Sequence, residues 1–342
     1  MNDTSGPPLP VPPARLPGLT FRTFRGETDL PALVELIRAA DEANGEEMVV
    51  SLDRLRVRYA NMTRIDPSRD VVLGFVGERL VAHSLIEWAD TAYGERHFNS
   101  LGDVHPDWRR RGIGTAMAKR NEARLVELAA GQVFEGTPVL TTWFQDGDIG
   151  AAALARARGY QRVRVYHHML RPSLDDIDVP PVPSGIEVRP LTRDLLPAYW
   201  DALCEAFRDH FGAWDDSASA YQSWVDSPLF DLRLQIVAFD GTEIAAGIHA
   251  AVDPVENHEH GYLRGWTEPI FTRRPWRRRG LASALLGRTL LALREQGMEG
   301  AQLHVDAENA HAAMSLYERH RFRVTRSSSE WHKAMPTQPS DV

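Results

Sequence analysis

The sequence predicts an α+β chain of two tandem units, each a central mixed, mostly antiparallel sheet flanked by helices. Three observations carry this. "HPDWRRRGIGTAMA" (His105–Ala118) returns 168 residues later as "RRPWRRRGLASALL" (Arg273–Leu286). "GLTFRTFRGETDLPALVELIRAA" from Gly18 is answered 167 residues on by "GIEVRPLTRDLLPAYWDALCEAF" from Gly185. Each half also holds one alternating hairpin, Asp70–Ala89 turning at Gly77-Glu78 and Leu232–Val252 turning at Asp240-Gly241. Self-similarity over whole supersecondary units marks a duplication.

Taken in order, residues 1–17 are rich in proline, lack an apolar signal core, and read as a mobile, partly extended tail. Residues 18–171 form the first unit: strand, helix, hairpin, strand, arginine loop with helix, strand, helix, strand. Residues 172–184, inside "RPSLDDIDVPPVPSG", read as a stiff polar linker because proline and aspartate oppose core structure. Residues 185–336 repeat the first order of elements. The 342 residues suit two ordinary domains, each long enough to bury a core.

Composition narrows the class. Hydrophobic content of 43% and charged content of 25% are those of a globular protein with no membrane-length apolar run. A net charge of −8 argues against nucleic acid or an anionic membrane as partner, so the arginine runs need a local reason. The single cysteine, Cys204, excludes an internal disulfide and fits a reducing cytoplasm. It lies on an apolar helix pattern and reads as a small buried residue, not a nucleophile. His167, His168, His210, His258 and His260 lack metal-ligand spacing, so no metal is expected.

The arginine loops have a physical reading. Apolar periodicity starts at Leu281, so a helix opens near Gly280. A helix start leaves N–H groups unpaired and carries partial positive charge, which suits phosphate oxygens. Gly280 lets backbone approach a ligand, Ala282 keeps the next turn open, and Ser283 follows on the same turn. Arg277, Arg278 and Arg279 add charge-assisted donors. Arg109, Arg110, Arg111, Gly112, Ile113, Gly114 and Thr115 offer the same layout in the first half. One copy reads equally as a solvated basic turn; two at matching positions favour a pyrophosphate cradle.

Arg-x-x-Gly-x-Gly/Ala between a strand and a helix resembles the acetyl-CoA loop of the GNAT N-acetyltransferases, and residues 19–335 resemble a tandem-domain member of that family. "LHVDAENAHAAMSLYERHRF" (Leu303–Phe322) is similar to the family's Asn-x-x-Ala-x-x-x-Leu-Tyr-x-x-x-Gly-Phe at Asn309, Ala312, Leu316, Tyr317 and Phe322. Arg321 stands where the family usually has Gly, which implies a different helix closure. The resemblance implies acetyl-CoA as co-substrate and acetyl transfer to a primary amine of a small molecule or peptide. It implies that Asn309 bonds the CoA arm and Tyr317 protonates the departing thiolate. It further implies backbone pairing of pantetheine with Ile270, Phe271 and Thr272, and with Gly102, Asp103 and Val104 in the first half.

The halves are not equivalent. Aligning Tyr160 with Phe322 sets Gly147 opposite Asn309 and Ala155 opposite Tyr317, so the first half lacks both amide and phenol. By resemblance the general base is an acid on the strand before the loop, and Glu268 is the candidate, two positions short of the family's commoner spacing. Trp266, its neighbour, is the candidate for the acceptor pocket. The second unit is therefore expected to be catalytic and the first degenerate. The alternative is a CoA-binding sensor or structural module without turnover, which would need neither Tyr317 nor Asn309.

Overall fold

The structure is a computed structural model that describes residues 8–212, 214–308 and 313–336. It divides into two compact units. Unit 1 comprises the residues up to Val163 and those from Ser329 onward; unit 2 comprises Arg164–Ser328.

In unit 1, β1 (Leu19–Thr23) leads into α1 (Leu30–Asn44), α2 (Leu52–Ala60) and the single turn α3 (Pro67–Asp70). β2 (Val72–Val76), β3 (Arg79–Asp90), β4 (Glu95–Val104), α4 (Ile113–Ala130), β5 (Thr137–Gln145) and α5 (Ile149–Ala157) follow. β6 (Gln161–Arg171) starts in unit 1 and continues in unit 2. Unit 2 then has β7 (Ile186–Pro190), α6 (Leu196–Phe207), α7 (Ala218–Val225), β8 (Gln235–Asp240), β9 (Glu243–His249) and α8 (Pro254–His260). It goes on through β10 (Arg264–Trp266), β11 (Ile270–Thr272), α9 (Leu281–Glu295), β12 (Gly300–Asp306) and α10 (Ala313–Arg319). β13 (Arg323–Ala334) begins in unit 2 and ends in unit 1.

The helices form where apolar residues recur at three and four positions. In α1, Leu30, Leu33, Leu36 and Ala40 are buried, and Gly45 at φ 70° ends the helix. In α9, Leu281, Leu285, Leu286, Leu290 and Leu293 sink into the unit 2 core, each contributing about 2 kcal/mol by burial. The hairpins turn where expected, with Gly77 at φ 60° and Gly241 at φ 59°. Cys204 is buried, and its sulfur accepts from the Trp214 indole at 3.3 Å.

The unit 1 sheet runs β1-β2-β3-β4-β5 and is completed by the end of β13. β1 to β4 pair antiparallel, and β4 pairs parallel with β5 only as far as Asn99–Thr141. Unit 2 has antiparallel β7-β8-β9-β11 and, separately, β12 between β6 and β10. β10 and β11 are consecutive in sequence but belong to different ladders, so the sheet parts at residues 267–269. Glu268 sits in that gap.

Leu16 and the 172–184 linker are more ordered than the composition around them suggests. Leu16, within the segment read as a mobile tail, is 7% exposed among Leu19, Val81, Ile113 and Met117. The 172–184 linker buries Leu174 against the α9 core, and the Pro180 carbonyl accepts from Arg288 at 3.1 Å. Isolated apolar residues in polar, proline-rich stretches anchor them by burial.

Candidate active site

β11 ends at Thr272, one tight turn follows at Arg274–Trp276, and α9 begins at Leu281 with Gly280 as its N-cap. Gly280 is left-handed (φ 85°, ψ 1°); among the described residues no side chain caps the helix, and a Cβ at Gly280 would meet nothing within 4 Å. The amides of Leu281, Ala282 and Ser283 have no carbonyl four residues back within the helix. Arg278, at φ 60°, and Arg279 are exposed and make no hydrogen bond or ion pair among the described residues. The Ser283 hydroxyl lies 2.8 Å from His320 Nε2.

Arg277 has other work. Its Nε donates to the Thr272 carbonyl at 2.9 Å, and Nη1 pairs with Asp209 at 2.6 Å. Arg274 also holds Asp209, and the two guanidiniums, Arg274 foremost, keep that carboxyl well below the usual carboxylate range. Arg277 thus fastens the loop to the end of α6 and the last carbonyl of β11. Arg109 makes the same clamp in unit 1, donating to the Val104 carbonyl at 3.0 Å and Asn44 Oδ1 at 2.9 Å.

The first loop repeats the backbone of the second, with Arg110 at φ 64° and Gly112 at φ 88°, ψ −1°. Ile113 is buried at the start of α4, and Gly114 and Thr115 follow in its first turn. The surroundings differ. A Cβ on Gly112 would lie 3.3 Å from the Pro13 ring carbons, so the N-terminal segment flanks this loop.

β11 is an edge strand, paired with β9 on one side only. His249 N donates to the Pro269 carbonyl and Arg273 N to the Ala245 carbonyl. That register turns the backbone groups of Phe271 toward Gly247 and those of Ile270 and Thr272 to the open edge. Phe271 packs under Tyr199, ring centroids 5.2 Å apart, and its role is to support the edge. In unit 1, Asp103 faces His83 across β3 and lies 3.6 Å from its Nδ1, while Gly102 and Val104 take the outward register.

Among the described residues, Glu268 is held by His304. Its Oε2 accepts the His304 backbone N–H at 2.6 Å, and its Oε1 lies 2.7 Å from His304 Nδ1. The His304 ring stacks on Trp266 at 5.1 Å and 24°. Trp266 donates its indole N–H to Glu256 at 3.2 Å, and Tyr262 donates to Glu256 at 2.9 Å. Burial pushes the Glu256 carboxyl up against the pull of these donors. Burial likewise drives His168, 5.3 Å from the His304 ring, down to about 3, so it is a neutral wall of the site.

Tyr317, on α10, is 8% exposed and packs edge-on against Phe322 at 6.1 Å. Burial first, and then the Glu268 charge, raise its phenol well above the ordinary value, which keeps it protonated. Asn309 and Ala312 lie outside the described residues. α10 closes as a Gly would close it: Arg321 is left-handed (φ 64°), and Phe322 N returns to the Tyr317 carbonyl at 3.0 Å. The closure is therefore of the usual form, with the non-glycine residue accepting the strained conformation. Ala155 occupies the Tyr317 position of unit 1 and is buried in the core.

Residues 199–322 match the Acetyltransferase (GNAT) family. The mycothiol acetyltransferase of Streptomyces scabiei is 30% identical over 295 residues, 84% of this chain and 86% of that protein. That of Salinispora arenicola is 29% identical over 311 residues, 85% of this chain and 89% of that protein. A GCN5-related N-acetyltransferase from Sphaerobacter thermophilus shares the fold at TM-score 0.71 and 24% identity, over 96% of this chain and 98% of that one. A tandem GNAT protein from the clavulanic acid biosynthesis pathway does so at TM-score 0.65 and 19% identity, over 94% and 100%. The chain belongs to the GNAT acetyltransferase family, in its tandem form, and is an acetyltransferase. Enzymes of this family take acetyl-CoA as co-substrate. Among the described residues, no helix is long and apolar enough to cross a membrane.

Proposed function

We propose that unit 2 acetylates a primary amine of a small molecule by direct attack on acetyl-CoA in a ternary complex, and that the amine is of the mycothiol type. The carrying observation is a carboxylate, Glu268, fixed at the gap in the sheet by His304 and near enough for its charge to help raise the buried Tyr317 phenol. The names of relatives 29% and 30% identical over most of the chain support the acceptor class.

The diphosphate sits on the Leu281, Ala282 and Ser283 amides, with Arg278 and Arg279 at its flank. Pantetheine adds along the open edge of β11 through Ile270 and Thr272. The amine attacks the thioester carbonyl, whose developing oxyanion is met by N–H groups of that edge. Glu268 accepts the amine proton. The C–S bond breaks, and the Tyr317 O–H supplies a proton to the leaving sulfur. The tyrosinate regains its proton from Glu268 through solvent, so the cycle closes without a covalent enzyme intermediate. Trp266 and His304 wall the acceptor side.

Unit 1 is read as a non-catalytic module, because Ala155 stands for the phenol and Pro13 flanks Gly112. The test is Tyr317→Phe against wild type, following free CoA with a panel of amines that includes a mycothiol precursor. Acetyl-CoA should still bind while turnover falls about 10²-fold or more. Undiminished turnover removes Tyr317 from the mechanism, and no turnover by wild type with the precursor removes the acceptor class.

A further inference from the structure

Unit 1 carries a second convergence of chemistry-bearing side chains, unrelated to acetyl transfer. The tripeptides Glu95-Arg96-His97 on β4 and Glu330-Trp331-His332 on β13 share one spacing, Glu-x-His. A separation of two is the strand period, so each Glu and His share a face. Phe98 and Trp331 take the opposite faces and enter the core. β5 lies between the two strands, with Val139 beside His97 in the register.

The side chains meet above β5. His97 Nε2 is 3.0 Å from Glu95 Oε2, and its Nδ1 is 3.4 Å from Glu330 Oε1. His332 Nε2 is 2.7 Å from the same Glu330 oxygen, and the two imidazole rings stand 4.7 Å apart at 79°. One donor atom each from Glu95, His97 and His332 lie within 4.8 Å of one another. His97 is 4% exposed, so the group is set into the sheet surface.

We propose that Glu95, His97 and His332 bind one divalent transition-metal ion, with zinc the best fit. Two imidazoles and a carboxylate are ligands of zinc preference. Bonds of about 2.0–2.1 Å in tetrahedral array put donors about 3.3 Å apart, so closure asks each side chain to move about an ångström. Glu330 is the outer partner: it faces the His97 nitrogen turned away from Glu95, the carboxylate–imidazole–metal arrangement that fixes a ligand ring. Binding displaces the proton shared between His97 and Glu95, so the ion takes a place already defined by hydrogen bonds. It ties β4 to the end of β13, the segment that completes the unit 1 sheet. Three protein ligands leave a fourth position for water.

The experiment uses full-length protein stripped by chelator and then freed of it. Calorimetric titration with Zn2+ should show one ion per chain, and Co2+ in its place should give the visible absorption of a tetrahedral site. A folded His97→Gln/His332→Gln double variant should lose both signals, and Glu330→Gln should weaken Zn2+ about 10–100-fold. Anomalous scattering from zinc-soaked wild-type crystals should peak between Glu95, His97 and His332. No uptake by wild type, equal uptake by the folded double variant, or a peak elsewhere overturns the proposal. Should the double variant not fold, the position of the wild-type peak decides.

Discussion

Both oxygens of the Glu268 carboxylate are engaged by His304, one through the backbone N–H at 2.6 Å and one through Nδ1 at 2.7 Å. A carboxylate in a gap between two ladders has no sheet neighbour to orient it, and His304 supplies that orientation from β12. Glu268→Gln keeps the shape but removes the base. Turnover should fall about 10²–10⁴-fold with acetyl-CoA affinity near wild type. His304→Ala frees the carboxylate and should lower kcat by a smaller factor, because the base remains but is no longer oriented. Steady-state kinetics beside acetyl-CoA binding separates the two.

Arg277 and its neighbours should part company under mutation. Arg277→Ala breaks the Asp209 ion pair and the bond to the Thr272 carbonyl, costing about 2 kcal/mol and lowering Tm. Arg278→Ala and Arg279→Ala touch no partner among the described residues, so Tm should hold. Acetyl-CoA binding should weaken instead, with a shallower salt dependence. Thermal melts beside binding titrations at two salt concentrations distinguish these outcomes.

The two loops predict the stoichiometry. Their backbones agree, but only Gly280 has open space around its missing Cβ, while Pro13 lies 3.3 Å from that of Gly112. Calorimetry with acetyl-CoA should saturate at one equivalent per chain. Two equivalents would show that Pro13 leaves the first loop open to the ligand.

Stability should depend on pH through Asp41. Burial, reinforced by Asp103 and Glu46, pushes its carboxyl up to about 7. The folded state then holds a proton that the unfolded chain releases near pH 4, so this contribution is full below about pH 4 and is lost as pH rises through 7. Asp41→Asn removes the penalty. Its Tm gain over wild type should be larger at pH 8 than at pH 5, and an equal gain at both would exclude the mechanism.

Arg321 holds a left-handed conformation that glycine adopts without strain. Arg321→Gly should stabilise the protein by about 1 kcal/mol, less whatever the exposed ion pair with Asp176 contributes. Chemical denaturation measures the difference.

Much of this was legible in the sequence where a signal was local. The duplicated loops, the Gly241 turn and the α9 stripe each lie within a few residues, and each appears as expected. What escaped depends on partners far along the chain. An arginine in a phosphate-binding motif reads as an anion ligand, yet Arg277 is spent on Asp209, 68 residues away. His304 alternates outward on β12 like any strand residue, and only its position opposite Glu268 gives it a role. The Glu-x-His pairs escaped because neither is a metal motif alone; β5 brings them to one face. Leu16 shows the opposite limit, one apolar residue anchoring a segment whose composition says tail.

β6 and β13 each begin in one compact unit and finish in the other. The repeat visible along the chain is therefore not the partition that the folded chain makes. A polypeptide ended at the linker would leave the first sheet without its closing strand, and its complement would lack β6 beside β12. What was duplicated in the sequence is therefore no longer separable by a cut at the seam between its copies.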